Sequence, residues 1–405
     1  MAATGPVRLK PPVRRSIPRS SPKGELFAAR VATLNEYSES MVRSALTEAD
    51  VVALLESVAD PQLERSIVEL GMVRGVTARR RRVQVSVALP APGYPGRTEL
   101  QAAITDVLAD AGAERAAIDF TTMTEQERAV LKQRLVGEGA TAPQDVFTST
   151  RVIAVGSGKG GVGKSSISAN LAIALGRRGK RTIIIDADVY GFSIPRMLGV
   201  EDRPLIIEDL ILPPKTHGVS VISIGFFSDE ANPVIWRGPM LHKALTQFVT
   251  DVYWGTPDIA IIDMPPGTGD VALSMSQFLP ASEVVVVTTP QVAAQRVAQR
   301  SAYMARKVKL SVTGVIENMS WFTGNDGERY ELFGSGGGEL LAQELGVPLL
   351  GQVPLVPALR EGGDSGTPIM ISDPESEAAQ AIEAVASELL KIAPPRIRLP
   401  LMGSQ

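Results

Sequence analysis

The sequence predicts an α/β protein: a doubly wound, mainly parallel sheet, preceded by a smaller α+β domain. Three observations predict it. From Arg151 onward, short and nearly continuous apolar runs recur at 152–155, 182–185, 219–222, 259–262, 284–287 and 312–316. Strands without polar alternation are buried on both faces, and the helical segments between several of these runs suit βα crossovers. Earlier in the chain the texture differs. There Val83, Val85, Val87 and Leu89 alternate with Gln84, Ser86 and Ala88, which marks a half-buried strand. Finally, a glycine-rich stretch from Gly158 to Gly163 joins the first continuous run to a helical pattern.

Taken in order, residues 1–44 read as a disordered basic tail. Arg8, Lys10, Arg14, Arg15, Arg19 and Lys23 lie among prolines and serines, with no acid before Glu25. The prolines oppose the amphipathic helix of an organelle leader, and Met41 is an alternative start. The α+β domain is expected over 45–136. Its first helix runs from Thr47, the N-cap, to Ser57, with Val51, Leu54, Leu55 and Val58 at helical spacing, and Asp60-Pro61 ends it. The strand at 83–89, a helix from Thr98 to Ala111 and a short strand at 116–120 follow. Arg79–Arg82 falls where a hairpin is expected and reads as a solvated turn. Residues 137–149 carry little periodicity and read as a linker to the large domain at 150–393. A helix from Glu377 to Ile392 closes that domain, and Pro394-Pro395 opens a tail at 394–405.

Composition removes several chemistries. The chain has 405 residues, a formal charge of −3, two histidines and no cysteine. Disulfides, thiol nucleophiles, Cys-ligated zinc and a self-contained Cys-ligated iron–sulfur site are therefore excluded, as is a multi-His metal site. No apolar stretch reaches the ~20 residues of a membrane span. A cytoplasmic location is expected, with neither nucleic acid nor membrane as partner.

The strongest chemical signal is Gly158-Lys159-Gly160-Gly161-Val162-Gly163-Lys164-Ser165, which matches G-x-x-x-x-G-K-[ST] between a strand and a helix. Such a loop turns consecutive N–H groups toward phosphate oxygens, and the helix N-terminus adds a favourable dipole. Residues 158–166, Ser166 included, are the expected nucleotide cradle. Lys164 should reach the β- and γ-phosphates of ATP, and Ser165 should bind Mg²⁺. Asp186 and Asp188 end the second apolar run and Asp263 ends the fourth. Strand C-termini face the ligand crevice in open parallel sheets, so Asp263 reads as the acid that holds Mg²⁺ through water. The loop Pro265 to Asp270 suits γ-phosphate sensing.

Lys159, early in the loop, resembles the signature lysine of the ParA/MinD-like ATPases. The resemblance implies that it crosses a homodimer interface to the partner's phosphates. Within that class, Asp186-Ala187-Asp188-Val189-Tyr190-Gly191, Trp236-Arg237-Gly238-Pro239-Met240, Asp263 to Asp270 and Glu317-Asn318-Met319-Ser320 resemble the Mrp/ApbC-type iron–sulfur carrier ATPases. Asp60-Pro61 and Ser66 to Val73 are similar to the small domain that precedes many bacterial members. The resemblance implies that Asp188 polarises the attacking water and Asp186 supports Mg²⁺. It also implies that Asn318 reads adenine, with the loop around Pro354 closing over the base.

That family also implies an Fe–S cluster, shared between two subunits by a Cys-x-x-Cys pair after Glu-Asn-Met-Ser, and apoprotein clients that receive it. Here the segment reads Trp321 to Glu328, and Tyr94 stands where the small domain commonly has a cysteine. No Fe–S ligand is identifiable. Asn325, Asp326 and Glu328 are hard donors that suit a hairpin turn better than a cluster. Two functions are expected to compete: an ATP-hydrolysing factor that binds and transfers Fe–S clusters, and an ATP-gated dimeric switch of the ParA/MinD type without a cluster.

Overall fold

A computed structural model describes residues 46–137, 143–189, 191–227, 238–267 and 269–394. The expectations for the basic tail, most of the C-terminal tail, Tyr190, Trp236, Arg237 and Thr268 lie outside the described residues. The small domain begins with helix α1 (Glu48–Leu55), where Thr47 and Asp50 form a reciprocal capping box. Strands β1 (Val73–Arg79), β2 (Arg82–Leu89) and β3 (Arg115–Thr122) form a sheet, antiparallel between β1 and β2 and parallel between β2 and β3. Helices α2 (Arg97–Asp110) and α3 (Glu125–Val136) complete this domain. Val83, Val85 and Val87 point into its core, as the alternation requires.

The expected linker is partly a helix, α4 (Pro143–Ser149). Its Val146 and Phe147 are buried in the core of the large domain, with Phe147 packed edge-on to Trp254 at 6.5 Å. That burial outweighs the missing periodicity. The large sheet has the strand order β15-β12-β11-β4-β10-β5-β9-β8 and is parallel except for β8. The six apolar runs are β4 (Arg151–Ser157), β5 (Thr182–Asp186), β9 (Val219–Ser223), β10 (Ile259–Asp263), β11 (Glu283–Thr288) and β12 (Ser311–Asn318). Beyond these runs, β8 (Lys215–Thr216) and β15 (Leu349–Val353) form the two edges. Helix α5 (Lys164–Arg177) packs on one face with the C-terminal helix (Glu377–Lys391). Helices α7 (Gly238–Thr250), α8 (Gly269–Phe278), α9 (Val292–Lys307) and α10 (Gly337–Leu345) cover the other.

Between β5 and β9 the chain inserts α6 (Ile194–Met197) and a short hairpin, β6 (Leu205–Ile207) and β7 (Leu210–Leu212). Ile207, Leu210 and Leu212 are buried in the core of the small domain rather than their own. Around them Lys132 pairs with Asp209, Lys215 with Glu64, and Arg128 Nε lies 3.5 Å from Glu208.

One buried ion pair fastens the large sheet. Arg151 donates from Nε and Nη2 to Glu283 at 2.7 and 2.9 Å, and its Nη1 reaches the Leu389 carbonyl at 3.0 Å. Removing one partner of such a pair strands a buried charge, at a cost of about 3–5 kcal/mol. Glu283→Ala is therefore expected to lower the thermal midpoint by on the order of 10 °C. Thermal denaturation followed by circular dichroism checks this, and an unchanged midpoint contradicts it.

Candidate functional site

Hydrogen bonding in the parallel sheet sets the site. Asp263 on β10 lies in register with Asp186 on β5, and both are fully buried at the carboxyl ends of their strands. The glycine-rich loop follows β4, the neighbour of β10, and delivers α5 to the same place. Asp263 gathers three donors from that helix. Lys164 Nζ and Ser165 Oγ each donate to its Oδ2 at 2.6 Å, and Ser168 Oγ donates to its Oδ1 at 2.6 Å. Asp188 Oδ2 lies 3.6 Å from Lys164 Nζ. The lysine ammonium thus sits against two buried carboxylates.

Asp186 does not touch the lysine directly. Its carboxylate accepts the N–H groups of Asp188, Ser193 and Ile194 at 3.2–3.3 Å and the Ser223 hydroxyl at 3.0 Å. Burial pushes its carboxyl up to about 7, the charge on Asp263 adds to this, and the donors pull the other way. The arrangement holds the chain from 186 to 194 in place by backbone bonds to one side chain.

Two glycines are dictated by the loop. A Cβ on Gly158 would meet the backbone of Val297 and Ala298 at 2.2–2.3 Å, so only glycine lets the loop lie on α9. Gly163 has φ +79°, and a Cβ there would lie 2.2 Å from Asn318 Nδ2. Gly163→Ala combines a left-handed alanine with displacement of Asn318, about 1–3 kcal/mol of strain. It is expected to weaken nucleotide binding at least about tenfold, read by titration calorimetry; wild-type affinity would contradict this.

Asn318 ends β12 and donates from Nδ2 to the Val162 carbonyl at 2.9 Å. Its Oδ1 is buried with no hydrogen-bond partner, an acceptor held beside the phosphate loop. Buried Pro354 follows β15, between bonds that tie Ser320 N to the Val353 carbonyl (3.0 Å) and Leu355 N to the Trp321 carbonyl (2.7 Å). Lys159 is held within its own chain, donating to Gln291 Oε1 at 3.2 Å. The backbone carbonyl of Ser166 is capped by Asn170 at 2.9 Å.

Sequence reasoning missed three residues here. Ser168 shares the face of α5 with Ser165, and its spacing in the helix is the signal that was available. Gln291 is the N-cap residue of α9 and carried no local signal. Glu317, wholly buried, accepts Gly338 N at 2.6 Å, Gln352 Nε2 at 2.7 Å and Ser320 Oγ at 2.9 Å. It fixes the turn around Asn318, and its signal was a lone acid ending an apolar strand.

The segment after Ser320 is a hairpin, β13 (Phe322–Thr323) with β14 (Arg329–Tyr330), turning through Gly324 to Gly327. Asp326 receives the Tyr330 hydroxyl and Glu328 N, and the first of these holds its carboxyl below the usual range. Glu377 receives Trp321 Nε1 at 3.0 Å, Thr323 Oγ1 at 2.8 Å and Arg329 Nη2 at 2.9 Å, while Arg329 stacks 4.2 Å over the Trp321 ring. In the small domain, Tyr94 donates to buried Asp60 at 2.6 Å. Among the described residues no group of three or more His, Asp or Glu is arranged to hold a metal ion, and no cysteine exists to supply thiolate.

Fold and loop together define a P-loop nucleotide-binding protein of the ParA/MinD architecture. Comparison narrows this. Residues 148–390 match the family described as the NUBPL iron-transfer P-loop NTPase, and residues 48–119 match an iron–sulfur cluster assembly protein family. The iron–sulfur cluster carrier protein of Mycobacterium tuberculosis is 45% identical over 353 residues, covering 84% of this chain and 92% of that protein. The Bacillus subtilis protein of the same name is 43% identical, covering 76% and 88%. A nucleotide-binding protein from Archaeoglobus fulgidus, solved with ADP, superposes with a TM-score of 0.50 at 32% identity, covering 58% of this chain and 95% of that one. The chain belongs to the iron–sulfur cluster carrier family of P-loop NTPases.

Proposed function

We propose that the protein is an Mg²⁺-dependent ATPase that works as an ATP-bridged homodimer in the assembly or transfer of iron–sulfur clusters. The observation that carries the reading is the convergence of Lys164 and Ser165 on Asp263 at the mouth of the glycine-rich loop, with Asp188 3.6 Å from the same ammonium. This donor set fits a nucleotide and its metal. Ser165 and Asp263 would hold Mg²⁺, with Asp186 in support, and Mg²⁺ supplies positive charge to the phosphates when bound. Lys164 would leave Asp263 for phosphate oxygens, and its charge would stabilise the transferring phosphoryl group. Asp188 would then orient and polarise the attacking water, and the unpartnered Asn318 Oδ1 would accept the adenine amino group.

Lys159 would exchange Gln291 for the partner subunit's phosphates on dimerisation. Exposed Leu273, Val292, Tyr303 and Met304 on α8 and α9 support a face that a second copy covers.

The cluster is cargo, and this chain does not fit the task of holding it alone. A hairpin locked by Glu377 occupies the place where the family resemblance puts cysteines, so thiolates must come from an assembly partner, a client apoprotein or a small thiol. A switch that carries no cluster is the second reading, favoured by that same hairpin.

Turnover of Asp188→Asn tests the mechanism: kcat is expected to fall by about 10²–10⁴ with nucleotide affinity retained, and unchanged kcat removes the role. For the cargo, the test is iron and sulfide content after anaerobic isolation from the native host. Retention of both supports carriage; neither metal nor sulfide, even with added thiol, leaves the switch.

A further inference from the structure

The open face of the small domain's sheet carries a row of like charges. Register places Arg79 opposite Arg82, and Arg82 opposite Arg115, so three guanidinium groups stand side by side across β1, β2 and β3. All three residues are exposed. At strand spacing of about 4.8 Å the row spans roughly 10 Å. Arg80 and Arg81 extend it at the β1–β2 turn. Arg81 lies 3.4 Å from Glu114, whereas no carboxylate pairs with Arg79, Arg80, Arg82 or Arg115 among the described residues.

Two features show that this arrangement works against stability. Like charges directly across a sheet repel one another. Arg80 also adopts φ +58°, a left-handed conformation that two-residue hairpin turns usually give to Gly, Asn or Asp. The ion pairs that seat the small domain on the large one use Glu64, Arg128 and Lys132, and among the described residues none uses the arginine row.

We propose that this row is a docking surface for an acidic segment of a partner protein. Arginine forks match carboxylates two hydrogen bonds at a time. Below the row the face is low and polar, with Thr77, Gln84 and Ala117 and then Gly75, Ser86 and Asp119 in register, which admits an extended segment. A protein partner is favoured over nucleic acid. The only aromatic residue on these strands, Phe120, points away from the face and lies under Arg97 at 5.2 Å, so no aromatic ring is offered for base stacking.

The test uses the full-length protein with fluorescent poly-L-glutamate and, separately, an RNA duplex of matched charge, by anisotropy over a salt series. Wild type is expected to bind polyglutamate more tightly than the duplex. The triple variant Arg79→Ser/Arg82→Ser/Arg115→Ser should bind polyglutamate at least tenfold more weakly. The control Arg203→Ser/Arg360→Ser should bind as wild type does. The triple variant should also melt no lower than wild type, since it removes repulsion. No polyglutamate binding by wild type, equal loss in the control, tighter binding of the duplex, or a lower melting temperature of the triple variant would each overturn the proposal.

Discussion

Lys164→Met is expected to abolish ATP turnover, by about 10³-fold or more, and to destabilise the nucleotide-free protein as well. The second effect follows from the geometry. Lys164 sets its ammonium against the buried carboxylates of Asp263 and Asp188, at 2.6 and 3.6 Å, with Asp186 in register beside them. Without it, Asp263 keeps the hydroxyls of Ser165 and Ser168 but loses the ammonium that meets it at 2.6 Å. Breaking a buried pair in this way costs about 3–5 kcal/mol. Because Mg²⁺ would bring charge back to the same carboxylates, added Mg²⁺ should restore part of the lost stability in the variant and less in wild type. A coupled ATPase assay and thermal melts with and without Mg²⁺ read both effects. A variant that is inactive yet as stable as wild type would show that Lys164 contributes only to phosphate binding. Near-wild-type turnover would remove it from the site.

The parts of this site that were legible in the sequence are those set by local rules. The glycine-rich loop is a strand, a turn and a helix start in consecutive residues, and Asp186 and Asp263 each end a run of apolar residues. Parallel pairing then brings these ends together without further instruction. What escaped was decided by contacts distant in sequence. Gln291 holds Lys159 across 132 residues, and Glu377 locks the Trp321 hairpin from more than fifty residues away. Helix α4 lacks its own amphipathic pattern because only Val146 and Phe147 are needed to anchor it. Strands β6 and β7, three residues each, are too short for alternation to declare itself. Their apolar residues serve the core of another domain, so no reading of the large domain by itself explains them.

That hairpin carries the second large prediction. Ile207 is fully buried, with Leu210 and Leu212, in a core whose other buried residues belong to the small domain. A small domain of this size has a stability of only about 5–15 kcal/mol. Loss of a buried isoleucine side chain costs about 2–5 kcal/mol, and an unpaired carboxylate in its place adds a desolvation penalty. Ile207→Asp is therefore expected to expel the hairpin and split the melting profile. The small domain should unfold first, its midpoint lowered by on the order of 10–20 °C, while the large domain keeps its own. Differential scanning calorimetry reads the split directly; a single transition at the wild-type temperature would show that the hairpin is not part of that core. The hairpin leaves α6, whose first N–H groups hold Asp186, so detachment releases one end of the segment that the nucleotide site fixes at the other. ATP turnover of Ile207→Asp below the midpoint of the small domain then separates two roles. If the rate changes, the small domain bears on the site through α6. If it does not, docking of the two domains and catalysis are independent, and the hairpin serves only to join them.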